Sequence, residues 1–157
     1  SAVSYYEQIS DVGRDQKMTA LALQSLEELV QRFPDTSYAR DARLKIDLTR
    51  DHLAGKEMDI GRYYLTRFHY VAAVNRFSRV IERYQTTSHV PEALHRLVEA
   101  YLVLGVPHEA QVAAAVLGHN FPGSEWYLDS YALLEGVNLR PAEDKGSWIS
   151  QAFDAIF

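Results

Sequence analysis

The chain reads as an all-α protein built from repeated antiparallel helical hairpins, and three observations predict it. First, one punctuation recurs, at Arg32-Phe33-Pro34-Asp35-Thr36-Ser37, Arg83-Tyr84-Gln85-Thr86-Thr87-Ser88 and Asn120-Phe121-Pro122-Gly123-Ser124. Each stretch closes one amphipathic run and opens the next, as in stacked helical hairpins. Second, apolar residues between these marks step by three and four, the helical period. Third, no segment reads as a convincing strand.

In chain order, Val3 to Ile9 is a short first run, and Asp11 to Gln16, holding Gly13, reads as a loop. Lys17 to Phe33 carries Leu21, Ala22, Leu26, Leu29, Val30 and Phe33 on one helical face. Pro34 ends that helix by excluding its predecessor from the α region, and Ser37 is placed to cap the next. From Tyr38 to Phe68 a single stripe runs Ala42, Ile46, Thr49, Leu53, Glu57, Ile60, Tyr64, Phe68. Its phase passes through Gly55 unbroken, so one long helix is expected there, bent or frayed near the glycine. Tyr70 to Tyr84 follows. Pro91 stands in the first turn of a helix over 90–104, where its missing donor costs nothing. Gly105 closes that helix as a left-handed cap, Pro107 opens 107–119, and Ser124 caps 125–136. Residues 1–136 are thus expected to form the array, 137–146 a linker, and 147–157 a short amphipathic helix with Trp148, Ile149, Ala152, Phe153, Ile156 and Phe157 on one face. That tail is expected to dock, preferentially over the helix 125–136.

Composition narrows the function. The chain has 157 residues, 47% of them hydrophobic, a formal charge of −5 and no cysteine. Nothing global points to nucleic acid. A disulfide framework, a thiolate metal site and a cysteine nucleophile are excluded. No apolar run approaches the roughly 20 residues of a membrane span, and no targeting peptide is visible.

The repeat fits a tetratricopeptide unit: a small residue at the tight turn, alanine at the helix crossing, an aromatic four residues on and proline at the exit. Leu104-Gly105, Ala110, Ala114, Leu117 and Pro122 supply one half-unit. Phe68, Tyr70, Ala73, Phe77, Val80 and Gln85 supply another, and Ala22, Leu26, Leu29 and Pro34 a third. The expected fold is a tetratricopeptide-repeat superhelix.

Two stretches resemble a known family more closely. They are Phe33-Pro34-Asp35-Thr36-Ser37-Tyr38-Ala39 and Tyr63-Tyr64 followed by Ala73-Val74-Asn75-Arg76-Phe77. Together with 87–94 and 118–124, they are similar to the BamD family, tetratricopeptide lipoproteins of the outer-membrane β-barrel assembly (BAM) machine. The likeness covers roughly residues 4 to 136. It implies a scaffold at the periplasmic face of the outer membrane, anchored by a lipidated N-terminal cysteine. It also implies C-terminal repeats that bind the POTRA region of BamA and, in some species, other BAM lipoproteins. The chain departs from the family in lacking the cysteine, and so the lipid anchor, in beginning within a repeat, and in its Gly146-Ser147-Trp148-Ile149 end. It reads as the C-terminal half of such a protein.

No catalytic, cofactor-binding or metal-binding residue is expected. His-Glu-x-x-His, phosphate-loop and nucleophile-elbow patterns are missing. His95 and Glu99, four apart on a helix, read as a surface or satisfied pair. The aromatics Tyr63, Tyr64, Phe68, Tyr70, Phe77 and Tyr84 read as core between paired helices. Charge is more telling. Arg62, Arg67, Arg76, Arg79 and Arg83 share a window with one acid, Glu82, giving it +4 and leaving −9 elsewhere. Arg76, Arg79 and Arg83 fall on one outward face of a second helix, read either as a solvated face with intramolecular pairs or as a docking stripe for an acidic partner. Arginine suits such a stripe because its planar fork grips a carboxylate with two hydrogen bonds. The resemblance implies that Asn75-Arg76 meets the POTRA region. Two other readings are a tetratricopeptide adaptor that clamps a peptide C-terminus, and a helical hydrolase. The first needs cations converging from the first helices, and the second a pocket with a pKa-shifted acid.

Overall fold

The computed structural model describes the backbone of residues 2–154 and the side chains of residues 13–154. Seven helices follow one another among them: α1 (Ala2–Arg32), α2 (Ser37–Thr66), α3 (Tyr70–Arg83), α4 (Val90–Leu104), α5 (Pro107–Asn120), α6 (Glu125–Gly136) and α7 (Trp148–Asp154). No strand occurs among the described residues. The chain divides into two compact units, residues 1–56 and 57–157.

In the first unit α1 runs unbroken through the expected loop at Asp11 to Gln16. A lone glycine costs a helix only about 1 kcal/mol against alanine. The Asp15 carbonyl also accepts from the Thr19 hydroxyl at 2.7 Å, the i−4 geometry of a continuing helix. The Pro34 turn ends α1 as expected, but the cap of α2 is Thr36 and not Ser37. The Thr36 hydroxyl donates to the Phe33 carbonyl at 2.9 Å and accepts from the Ala39 amide at 3.1 Å. One residue earlier in sequence, it is the side chain that faces the first free amides of α2. Arg50 of α2 reaches Glu27 of α1 at 2.7 Å. α2 itself is one helix through Gly55, as the apolar phase required.

The second unit is a set of hairpins. α3 packs on α4, α4 on α5, and α6 on both α4 and α5. Its core is Phe77, Val80 and Ile81 of α3, Leu94, Leu97 and Val98 of α4, Val112 and Leu117 of α5, and Leu134 of α6. Gly61 of α2 shows why that helix carries a glycine: a methyl there would lie 2.5 Å from the Phe77 ring, which is fully buried. Ser124 caps α6 by accepting from the Trp126 amide at 3.2 Å.

Two turns on the same side of the hairpins contrast. Gly105 closes α4 at φ 76°, which glycine adopts freely. Phe68, between α2 and α3, holds φ 61°. For a bulky residue that region costs roughly 1–2 kcal/mol. The Phe68 side chain was expected in the core with the other aromatics, and it is instead 75% exposed. It lies beyond the last residue of α2, so the helical phase that placed it on the stripe no longer applies. Phe77 alone of the six is fully buried.

The tail docks within its own chain, on α5 and α3, and not over α6. Ile149 and Phe153, four apart, are its buried anchors. Ser147 caps α7 by accepting from the Ser150 amide at 3.1 Å. The linker is stapled to α5: the Gln111 side-chain amide donates to the Arg140 carbonyl at 2.8 Å, and the Ala142 backbone amide donates to the Gln111 backbone carbonyl at 3.2 Å. Those bonds steer the chain along α5 and away from α6, whose Leu128 and Leu133 stay exposed. The expected apolar positions Ile156 and Phe157 lie outside the described residues.

Candidate functional site

The arginines of the +4 window do not form one free stripe. Arg76, expected to be exposed, has only 19% of its side chain accessible. Its guanidinium lies 3.2 Å from Glu57 of α2, and Arg79 reaches the other oxygen of the same carboxylate at 3.4 Å. Glu57 itself is buried, with 7% of its side chain accessible. Helical phase explains the pairing: Glu57 sits on the apolar stripe of α2, and a carboxylate driven inside by its neighbours needs cationic partners. Intramolecular pairs were one of the two expectations for this face, and Glu57 on the α2 stripe is the partner of Arg76 and Arg79.

Arg62 is also committed internally. Its Nε and one terminal nitrogen each donate to Glu92 of α4 at 2.8 Å, and the other terminal nitrogen donates to Asp59 at 2.9 Å. Glu92 and Glu99 both bind Arg96, at 3.2 and 2.7 Å. Glu99 accepts from His95 Nε2 at 3.2 Å, while His95 Nδ1 meets the buried Ser130 hydroxyl at 2.7 Å. His95 and Arg96 each lie 5.3 Å from the Trp126 ring of α6. A continuous polar chain therefore runs from α2 through α4 to α6. His95–Glu99, expected as a surface or satisfied pair, is one link of that chain.

This chain sets the local titration. The Arg62 hydrogen bonds hold the Glu92 carboxyl below the ordinary carboxylate range; partial burial opposes them, and the charges of Arg62 and Arg96 add to them. For Glu99 burial is the largest single influence and pushes upward. Hydrogen bonds from His95 and Arg96 together outweigh it, so the net direction is down. Asp144 in the linker is lowered by its hydrogen bond from His108, 2.9 Å away.

Two arginines of the window remain directed to solvent. Arg83, at the end of α3, is exposed and has no carboxylate partner among the described residues. Arg67 is exposed and its guanidinium lies over the Tyr63 ring at 5.4 Å. Between Asp59 and Glu82 the chain holds no acid, so this surface presents cations, aromatics and asparagine.

Comparison with known proteins agrees with this architecture. A family model described as YfiO, outer membrane lipoprotein, matches residues 1–135. The outer membrane protein assembly factor BamD of Caulobacter vibrioides is 60% identical over 141 residues, covering 90% of this chain and 46% of that protein. BamD of Rickettsia prowazekii is 54% identical over 134 residues, 85% of this chain and 53% of that protein. BamD of Neisseria meningitidis serogroup A is 45% identical over 118 residues, 75% and 44% respectively. The chain spans about half the length of these curated relatives.

Proposed function

The chain belongs to the YfiO outer membrane lipoprotein family, an all-α tetratricopeptide-type fold, and we propose that it is a non-catalytic scaffold in outer-membrane protein assembly. It acts at the periplasmic face of the outer membrane by binding the POTRA region of BamA. Its relatives are named assembly factors of outer membrane proteins, which supports the general role. The carrying observation is the α3 surface. Arg76 and Arg79 are fixed in place by Glu57, and Arg83 and Arg67 are left for an external carboxylate.

Preorganised cations suit docking. Their side chains are already ordered before the partner arrives, so less conformational freedom is lost on binding. Arg83 and Arg67 then steer an acidic surface into register. Such docking fixes the orientation of a partner domain and calls for no chemical step.

The peptide-clamp reading is weaker, for a specific reason. A peptide carboxylate would have to be met by cations on the first helices of the hairpins. Arg62 of α2 and Arg96 of α4 are both saturated by internal carboxylates. The hydrolase reading needs a carboxyl held above its ordinary range as a proton donor. Glu92, Glu99 and Asp144 are shifted the other way, as ion-pair members.

The test is a calorimetric titration of the full chain with the isolated POTRA region of a cognate BamA. Saturable binding, weakened by Arg83→Glu and by raised salt, is expected. No binding at micromolar concentrations would overturn the proposal.

A further inference from the structure

α3 and α6 each leave a row of side chains facing solvent, and the two rows match. On α3 the row steps by four through Val71, Asn75, Arg79 and Arg83. Val71 is 63% exposed, Asn75 and Arg83 are exposed, and Arg79 keeps 39% of its side chain accessible. On α6 the row steps by four through Glu125, Asp129 and Leu133 to the cap residue Val137. All four are exposed. α6 packs on α4 and α5 with Ser130 and Leu134 fully buried, and the next helix, α7, docks on α5 and α3.

Residues four apart form a ridge on a helix, and such ridges are what one helix presents to another. These two grade in opposite senses. α3 runs from apolar at Val71 to cationic at Arg83, and α6 from acidic at Glu125 to apolar at Val137. Set antiparallel, Arg83 falls opposite Glu125, Arg79 opposite Asp129, Asn75 opposite Leu133 and Val71 opposite Val137. Each row covers the same length, about 18 Å along a helix axis. A parallel arrangement would press Glu125 and Arg83 against valines and leave both charges without a partner.

The wider charge pattern agrees. From Asn120 to Leu139 the chain holds Glu125, Asp129 and Glu135 and no lysine, arginine or histidine. None of these acids is paired among the described residues. From Ile60 to Ile81 it holds no acid, and Glu82, though exposed, stands off the α3 row.

We propose that the α6 row docks antiparallel against the α3 row of a second copy of this chain. Two observations choose that occupant. The acids of α6 repel an anionic lipid surface, and the complementary row, with the same step and the reversed grade, is carried by the chain itself. Within one copy the two helices are held apart, each packed on α4. The contact is heterologous: it leaves α6 of one copy and α3 of the other free, so association is open-ended unless it closes into a ring. A single helix pair belongs among the transient contacts below about 1,200 Å², so the association is weak. It does not rest on the POTRA reading, but it covers the same α3 cations, so a second copy and the POTRA region compete for them.

The test is sedimentation velocity of the full chain from about 10 to 300 µM, suited to a contact of this size. The mean mass of wild type is expected to rise with concentration. Arg83→Glu alone and Glu125→Arg alone stay at the monomer mass, because every contact in either sample carries the altered row. Their equimolar mixture regains one intact contact and stops at a 1:1 dimer. The double variant, Arg83→Glu with Glu125→Arg, restores opposite charges and associates like wild type. Asp129→Arg, one turn further into α6, repeats the Glu125→Arg result away from the helix start, and thermal melts check that each variant is folded. Wild type at the monomer mass throughout overturns the proposal. So does a single variant that associates like wild type, or a mixture that stays monomeric. If Asp129→Arg binds the POTRA region more weakly than wild type does while wild type alone stays monomeric, the α6 row serves that partner and the proposal falls.

Discussion

The guanidinium of Arg76 lies 3.2 Å from the carboxylate of Glu57, a residue 19 positions earlier and almost entirely buried. The pair ties α3 to α2 and changes how the arginine face must be probed. Arg76→Glu would set two carboxylates against each other beside the core. It is expected to cost about 2 kcal/mol, below the full cost of an unpaired buried charge because Arg79 still faces Glu57. Arg83→Glu, on the exposed end of the same helix, is expected to change stability by about 0.5 kcal/mol or less. Chemical denaturation of the two variants distinguishes them. Equal and negligible losses would mean that the Arg76–Glu57 pair contributes nothing to the fold.

Acid should weaken the second unit through Glu92. Arg62 holds its carboxyl below the ordinary 4.5 in the folded chain, and unfolding returns it to that value. As pH falls, the unfolded state therefore binds the proton first. The stabilisation is whole above 4.5 and is lost as pH drops through the lower folded value. Glu99 is shifted in the same direction and adds to the effect. Urea unfolding between about pH 6 and 3 should show a decline that is shallower in Glu92→Gln. An identical slope in the variant would exclude Glu92 as its source.

Gly61→Ala should destabilise even though alanine is the better helix former. The helix would gain about 1 kcal/mol from the change. The added methyl meets the Phe77 ring at 2.5 Å, however, and that ring is buried on all sides and has nowhere to go. Overpacking of this kind costs about 1–3 kcal/mol, so a net loss of roughly 1 kcal/mol is expected in thermal or urea melts. A stabilised variant would show that the ring relaxes freely.

Phe153→Ala should release the tail. Phe153 and Ile149 are the buried contacts of a helix too short to persist alone. The expected outcome is loss of amide protection over 147–154 in hydrogen exchange, with a global loss of about 1–3 kcal/mol. Retained protection would mean that the linker bonds to Gln111 suffice to hold α7.

The helix sequence of this chain was legible because its signals are local. The stripe from Ala42 to Tyr64 carried α2 through Gly55, and Pro91, Gly105, Pro107 and Ser124 marked ends that the structure keeps. Asp11 to Gln16 reads as a loop because of its polar residues and glycine, yet one glycine costs a long helix only about 1 kcal/mol, too little to break α1. The arginine cluster was visible as composition, but which arginines are free was not. That depends on Glu57 and Glu92, 19 and 30 positions from their partners, and on how two helices are phased against each other. Phe68 escaped for the same reason: whether a residue just past a helix end turns inward or outward is set by the turn's backbone, which periodicity does not encode.

The placement of α7 reaches beyond its own few contacts. Hairpins stacked in a row hold only their neighbours, and such rows open from a free end, one element at a time. Here the last described helix reaches back past its sequence neighbour to α5 and α3. A bridge of that kind skips a position in the row, so α6 cannot peel away without the chain on either side of it remaining tethered. Opening at this end then demands that several elements let go together. The second unit should behave less like a zipper and more like a closed loop, melting in one sharp step when the tail is present and fraying progressively when it is cut.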